Sequence, residues 1–153
     1  MHINPDHYLE TEHGRVFTDE GNQLAWERCF ADLEEELDGN ANIQRVYLLI
    51  GAQASGKSTW AKEKNNSEPD NIIFDAILVK KQERKSIINL IHNKKIAIIA
   101  IVFHTSLALC LKRNETRALD TRVDESALRN VFNAIEMPSL DEGFREIIVY
   151  DAG

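Results

Sequence analysis

The sequence predicts an α/β fold: a parallel sheet of about four strands flanked by helices, preceded by an acidic N-terminal helix. Three observations lead there. Short apolar runs alternate with amphipathic segments through residues 44–153, the pattern of right-handed strand–helix–strand crossovers. A glycine-bearing turn, Gly51–Ser58, separates the first such run from the helical segment after it. Charge is also unevenly spread. Residues 1–43 hold 11 acids against 2 bases, and residues 44–153 hold 14 against 16.

Residues 1–18 lack periodicity and read as irregular. Asp19 is the expected N-cap of a helix over about Glu20–Leu37. Trp26, Phe30, Leu33 and Leu37 recur at spacings of four, three and four, which makes one apolar stripe. Glu34, Glu35 and Glu36 fall on its solvated face. Val46–Ile50 is continuously apolar, as a buried parallel strand requires, and a helix of about Lys57–Lys64 follows. Ile72–Phe74 forms a second strand, ending at Asp75. Gln82–His92 is a helix with Ile87, Ile88 and Ile91 inward, and Ile96–Phe103 a third strand. Thr105 caps a short helix to Lys112. After a charged stretch, Asp124 caps a helix to Glu136, stopped by Pro138. Glu146–Tyr150 is the last strand.

A chain of 153 residues suits a single domain, here an acidic extension over 1–43 and a body over 44–153. Ile96–Phe103, the longest apolar run, is too short to span a bilayer. Cys29 and Cys110 lie far apart without metal-ligand spacing, so buried free thiols in a reducing cytoplasm are expected. The net charge of −7 argues against a general polyanion binder. No polar platform of aromatic and basic residues for nucleic-acid bases is evident.

Gly51-Ala52-Gln53-Ala54-Ser55-Gly56-Lys57-Ser58 fits GxxxxGK[ST] without a mismatch, with a strand before and a helix after it. This is the phosphate-binding P-loop pattern. Gly51 and Gly56 allow a turn tight enough for successive backbone N–H groups to face phosphate oxygens. The helix start adds its partial positive charge. Lys57 is expected to reach the β- and γ-phosphates, the Ser58 hydroxyl to ligate Mg2+, and Thr59 to add a hydroxyl at the α-phosphate. No NKxD pattern for guanine and no LSGGQ-like signature occurs, and no strand ends in an Asp-Glu pair. A minimal P-loop domain for phosphoryl transfer remains.

In parallel sheets ligands bind beyond the carboxyl ends of strands, which draws attention to Asp75, His104 and Asp151. Asp75 either holds the Mg2+ shell through water or accepts a proton from an attacking hydroxyl; a capping aspartate is the plainer alternative. Arg113 and Arg117 are four apart and share a helical face. With Arg122 they could clamp phosphates bidentately, the alternative being a solvated helix end. His104 either lines the cleft or sits packed or exposed.

These residues together resemble the P-loop kinases that include polynucleotide 5′-hydroxyl kinases and zeta-toxin-like kinases. The resemblance covers about 44–153 and rests on Gly56-Lys57-Ser58-Thr59-Trp60-Ala61, on Phe74-Asp75-Ala76 with Glu83-Arg84, on Cys110 to Arg117, and on Pro138 to Phe144. It implies ATP with Mg2+, transfer of the γ-phosphate to a hydroxyl (a nucleic acid 5′-end, a nucleotide or a small alcohol), and Arg113 and Arg117 in a lid over the phosphates. Adenine would lie near Tyr150–Gly153. The longer kinases carry an additional strand and helix before the strand matching Ile72–Asp75, with an Asp-x-x-Arg pair. Here Leu78 stands three residues after Asp75, and that unit is missing. The resemblance thus leaves one acidic role unfilled, and a nucleotide-binding regulatory protein or a slow ATPase is the alternative. The N-terminal acidic helix is expected to cover the sheet edge that the gap exposes.

Overall fold

A computed structural model describes residues 1–92 and 94–152. Seven strands and five helices follow in chain order: β1 (His2–Ile3), β2 (Glu10–Thr11), β3 (Gly14–Arg15), α1 (Asp19–Gly39), β4 (Arg45–Ile50), α2 (Lys57–Ser67), β5 (Ile72–Asp75), α3 (Lys81–Ile91), β6 (Ala97–Thr105), α4 (Leu107–Glu115), α5 (Glu125–Asn133) and β7 (Glu146–Ala152). A 3-10 turn, Pro5–Tyr8, follows β1, and another, Leu140–Glu142, precedes β7.

Five strands form one sheet in the order β1-β5-β4-β6-β7, every pair parallel. The alternation of β4 explains the two layers around it. Val46, Leu48 and Ile50 face α1 and α3, joining Cys29, Leu33, Ile87 and Ile91. Tyr47 and Leu49 face α2 with Ala61 and Phe103. A strand buried on both faces has no room for polar alternation, so it reads as a continuous apolar run. Helices α4 and α5 pack together through Cys110 and Leu128 beside Ala52. Both cysteines are free and buried. Burial pushes the Cys29 thiol up to about 12.

Five expectations are corrected. The sheet has five strands rather than about four. The fifth is β1, inside the segment read as irregular, pairing His2 with Ile73 and Ile3 with Phe74. A two-residue strand is below the length at which period-2 alternation can be read. It is also β1, not the acidic helix, that takes the free edge of β5. Helix α1 instead lays Cys29, Leu33 and Leu37 on a face of the sheet beside α3. Its N-cap is Thr18, whose hydroxyl accepts from Gly21 N–H at 3.0 Å. Ser106 rather than Thr105 caps α4, since Thr105 Oγ1 is used on Ser55 O at 2.8 Å. Helix α5 stops at Asn133, short of Glu136.

Candidate active site at the carboxyl edge of the sheet

The carboxyl ends of β4 and β5 open on a cleft of about 940 Å³. Its first wall is the turn between β4 and α2. Gly51 leaves no room for a side chain: a Cβ there would stand 2.7 Å from Ser55 Oγ and 3.0 Å from Phe103 Cβ. Gly56 holds φ at +109°, a left-handed conformation that glycine adopts freely. Within the loop Ser55 N–H donates to Ala52 O at 3.3 Å. Gln53 Oε1 and Ser55 Oγ are buried without a hydrogen-bond partner among the described residues. Buried polar atoms are ordinarily satisfied, so these orphans fit a loop shaped to hold a polar ligand.

Lys57 starts α2 and is buried. Its ammonium donates to Gly51 O at 2.8 Å and Ala76 O at 3.4 Å. Desolvation lowers its pKa, and the Asp75 and Asp6 carboxylates work against that. The next residue, Ser58, donates its hydroxyl to Asp75 Oδ2 at 3.0 Å. Asp75 is the last residue of β5, opposite Leu49 in the register. Asn4 Nδ2 also donates to Oδ2 at 3.1 Å, and His2 Nε2 lies 2.9 Å away. Burial pushes the Asp75 pKa up, but the His2 hydrogen bond and the Lys57 charge outweigh it and hold the carboxyl below its ordinary value. An ionised carboxylate only accepts, so His2 Nε2 carries the proton of that bond.

The arginines divide. Arg113 and Arg117 both line the cleft. Arg113 Nη1 reaches Ala54 O at 3.4 Å. Burial, and then the nearby charge of Arg15, lowers the Arg117 pKa; an anion in the cleft would relieve that repulsion. Arg122 is not brought to the cleft. It is exposed and donates to the Glu115 and Arg117 carbonyls at 2.8 and 3.0 Å, closing the turn after α4. His104 is exposed as well, paired with Asp151 at 2.7 Å away from the phosphate loop. Trp60, Phe103 and Tyr150 form an aromatic edge of the cleft, with centroids 6.2 and 6.0 Å apart. Gly153, part of the stretch expected near adenine, lies outside the described residues.

Sequence reasoning missed the facing wall. Asn4, Asp6, Leu9, Arg15, Phe17 and Trp26 line the same cleft. The Asn4-Pro5 pair does signal a turn, yet nothing in its spacing points to Asp75, some seventy positions away. Two short segments named above as motifs turn out to be one scaffold. Arg84, wholly buried, donates Nε and Nη2 to the Glu142 carboxylate at 2.9 and 3.2 Å. Its Nη1 donates to Leu78 O and Val79 O at 2.9 and 3.0 Å, fixing the loop after Asp75.

The AAA_33 family model, described as an AAA domain, matches residues 63–138, just under half of the chain. The match spans Asp75, Arg84, Arg113 and Arg117 and begins after the phosphate loop. With that loop and the five-strand parallel sheet, it decides the class. The chain is a P-loop NTPase-like, nucleotide-binding domain. No curated protein matches it. Among the described residues no helix of this P-loop domain is long and apolar enough to cross a membrane. Nor does any group of three or more His, Cys, Asp or Glu stand ready to hold a metal ion. A divalent cation at Ser58 and Asp75 therefore needs phosphate oxygens or water to complete its shell.

Proposed function

We propose that the protein is an ATP-dependent phosphotransferase that moves the γ-phosphate of ATP to a hydroxyl acceptor, a nucleic acid 5′-end or a small molecule. One observation carries this reading. Lys57, Ser58 and Asp75 converge from the phosphate loop and the adjacent strand, and Arg113 and Arg117 line the same cleft. Phosphoryl transfer asks mainly for positioning and neutralised charge, and that is what these five side chains offer. Gly51 to Gly56 would cradle the β-phosphate with backbone N–H groups, Thr59 would meet the α-phosphate, and adenine would rest on the Phe103–Tyr150 edge. Ser58 and Asp75 would hold magnesium, which neutralises developing phosphate charge when bound. Arg122 acts here only by closing the turn beneath Arg117. The two buried free thiols suit a reducing cytoplasm.

A second reading is a nucleotide-binding regulator or slow ATPase. It is favoured by Asp75, whose Oδ2 already meets His2, Asn4 and Ser58. The experiment is transfer from γ-labelled ATP with Mg2+, offered 5′-hydroxyl RNA and DNA, nucleotide sugars and small alcohols. Transfer to one acceptor, abolished in Lys57→Ala and Asp75→Asn, is expected. Lys57→Ala should also weaken ATP binding about 100-fold, because charge-assisted hydrogen bonds of roughly 1.5–3 kcal/mol disappear. ATP binding that depends on Lys57 but yields no transfer would select the second reading.

A further inference from the structure

Three carboxylates line the cleft: Asp6, Glu63 and Asp75. Asp75 is committed to Ser58, His2 and Asn4. Glu63 rides on α2, on the phosphate-loop side, where it is exposed. Asp6 stands on the facing wall, its side chain 42% exposed. Its ion-pair partner is Arg15 of β3, with Nη1 at 3.2 Å from Oδ2, and Arg15 lines the cleft too. The Asp6 charge reaches the phosphate side, where it works against the burial that lowers the pKa of Lys57 and of Arg117.

The placement of Asp6 is not loose. Asn4 Oδ1 accepts the Asp6 backbone N–H at 2.9 Å, while Asn4 Nδ2 donates to Asp75 at 3.1 Å. One amide side chain thus sets the spacing between the carboxylate at Ser58 and the carboxylate across the cleft. Arg15 is held in turn: its Nε donates to Glu10 at 2.7 Å, and its backbone N–H donates to Asp120 Oδ2 at 3.1 Å, in the loop after Arg117. Leu9, Phe17 and Trp26 continue this wall as an apolar surface, with Phe17 51% exposed. An acceptor whose apolar or ring-bearing body lay on that surface would have its hydroxyl in the cleft that Asp6 and the phosphate loop share.

We propose that the N-terminal segment is the acceptor site of this P-loop domain and that Asp6 is its general base, with Arg15 as the residue that positions it. The proposal rests on the phosphotransferase reading. In the step, the acceptor oxygen forms a bond to the γ-phosphorus and the bond from that phosphorus to the β,γ-bridging oxygen breaks. ADP leaves with the electron pair, and the hydroxyl proton passes to the Asp6 carboxylate. Asp75 remains on the magnesium side, and the two acidic roles fall on two separate segments of the chain.

The test uses the full chain carrying Asp6→Asn, Asp6→Glu, Arg15→Gln or Arg15→Lys. Three quantities are read for each: the Kd for ATP with Mg2+ by calorimetry, the melting temperature, and kcat for γ-phosphate release to water and to the acceptor found in the panel above. Asp6→Asn is expected to lower kcat about 100-fold or more, the scale of a general base, with Kd for ATP within twofold of wild type. Asp6→Glu keeps a carboxylate and should restore part of the rate, which covers the case in which the asparagine variant fails to fold. Arg15→Gln should lower kcat without changing Kd, and Arg15→Lys should recover part of it. An Asp6→Asn variant within threefold of wild-type kcat overturns Asp6 as base while leaving the phosphotransferase reading intact. So does one that loses ATP binding together with turnover. A wild type that releases no phosphate to water or to any acceptor overturns both.

Discussion

The phosphate-loop wall of the cleft comes from one contiguous run, residues 53–60, whereas the facing wall is assembled from residues 4–26, the loop after Asp75 and the turn after α4. The first wall is held by backbone geometry: a glycine against Phe103, a left-handed Gly56, and a helix start. The second is held by single side chains acting as joints. Asn4 joins β1 and the following turn to Asp75. Arg84 joins the loop after Asp75 to Glu142. Asn114 bridges to Val123 through Nδ2–O at 2.7 Å and N–Oδ1 at 3.0 Å, closing the loop that carries Arg117. A wall fixed by backbone needs only its own sequence. One fixed by joints can be lost by a substitution remote from any ligand.

The sharpest break is expected at Arg84. Arg84→Ala leaves Glu142 without its buried partner and the Leu78 carbonyl without a donor, while Val79 O keeps the Glu136 N–H at 2.8 Å. Removing one member of a buried pair costs about 3–5 kcal/mol, so the melting temperature should fall by roughly 6–20 °C. A scanning-calorimetry shift of less than about 3 °C would mean the joint does not support the wall. Asn4→Ala is next. It removes a donor to Asp75 and the cap of the 3-10 turn, at about 1–2 kcal/mol. ATP affinity should stay within about threefold, because the first wall is untouched, while transfer drops about tenfold. Equal losses in both measurements would show that the two walls are not separable.

The smallest effect lies away from both walls and serves as a control. Burial pushes the Glu68 carboxyl up, but hydrogen bonds from Lys64, Tyr47 and Asn71 bring it down to about 2. Lys64 Nζ is 2.7 Å away and Tyr47 OH also 2.7 Å. A depressed native pKa stabilises the fold above the ordinary value of 4.5, and that stability is lost as pH falls from 4.5 toward 2. Glu68→Gln should therefore narrow the difference in unfolding free energy between about pH 5 and about pH 3, by less than about 1 kcal/mol because the pair is partly exposed. ATP binding should not change. An unaltered acid response would remove Glu68 from the account.

The same contrast decides what could be read from the residues alone. The P-loop, its strand and its helix were legible because phosphate binding by backbone N–H groups needs a fixed local spacing. Asp75, Arg113 and Arg117 were legible as residues at a strand end and on one helical turn, and the structure brings all three to the cleft. Arg122 lies at the same kind of position in sequence but spends its donors on the carbonyls beneath Arg117, a difference set by the turn and not by spacing. β1 escaped notice because two residues carry no period, and its pairing with β5 follows from seventy residues of intervening fold. Asp6 and Arg15 escaped notice because charged residues in a stretch without periodicity look solvated until the chain folds them onto a common cleft.

The shortness of β1 also has a kinetic consequence. Its two residues can dock only after β5 exists, although they come first in the chain. Contacts of such long sequence separation form late, and a strand of two residues has few bonds to lose, so opening of the native molecule should begin there. Detachment would carry Asn4 and Asp6 away while leaving Gly51–Ser58 folded on β4. A minor state that retains the loop of residues 51–58 without the facing wall is the expected outcome, read as amide exchange at Ile3 and Asp6 outpacing that at Leu48 and Leu49.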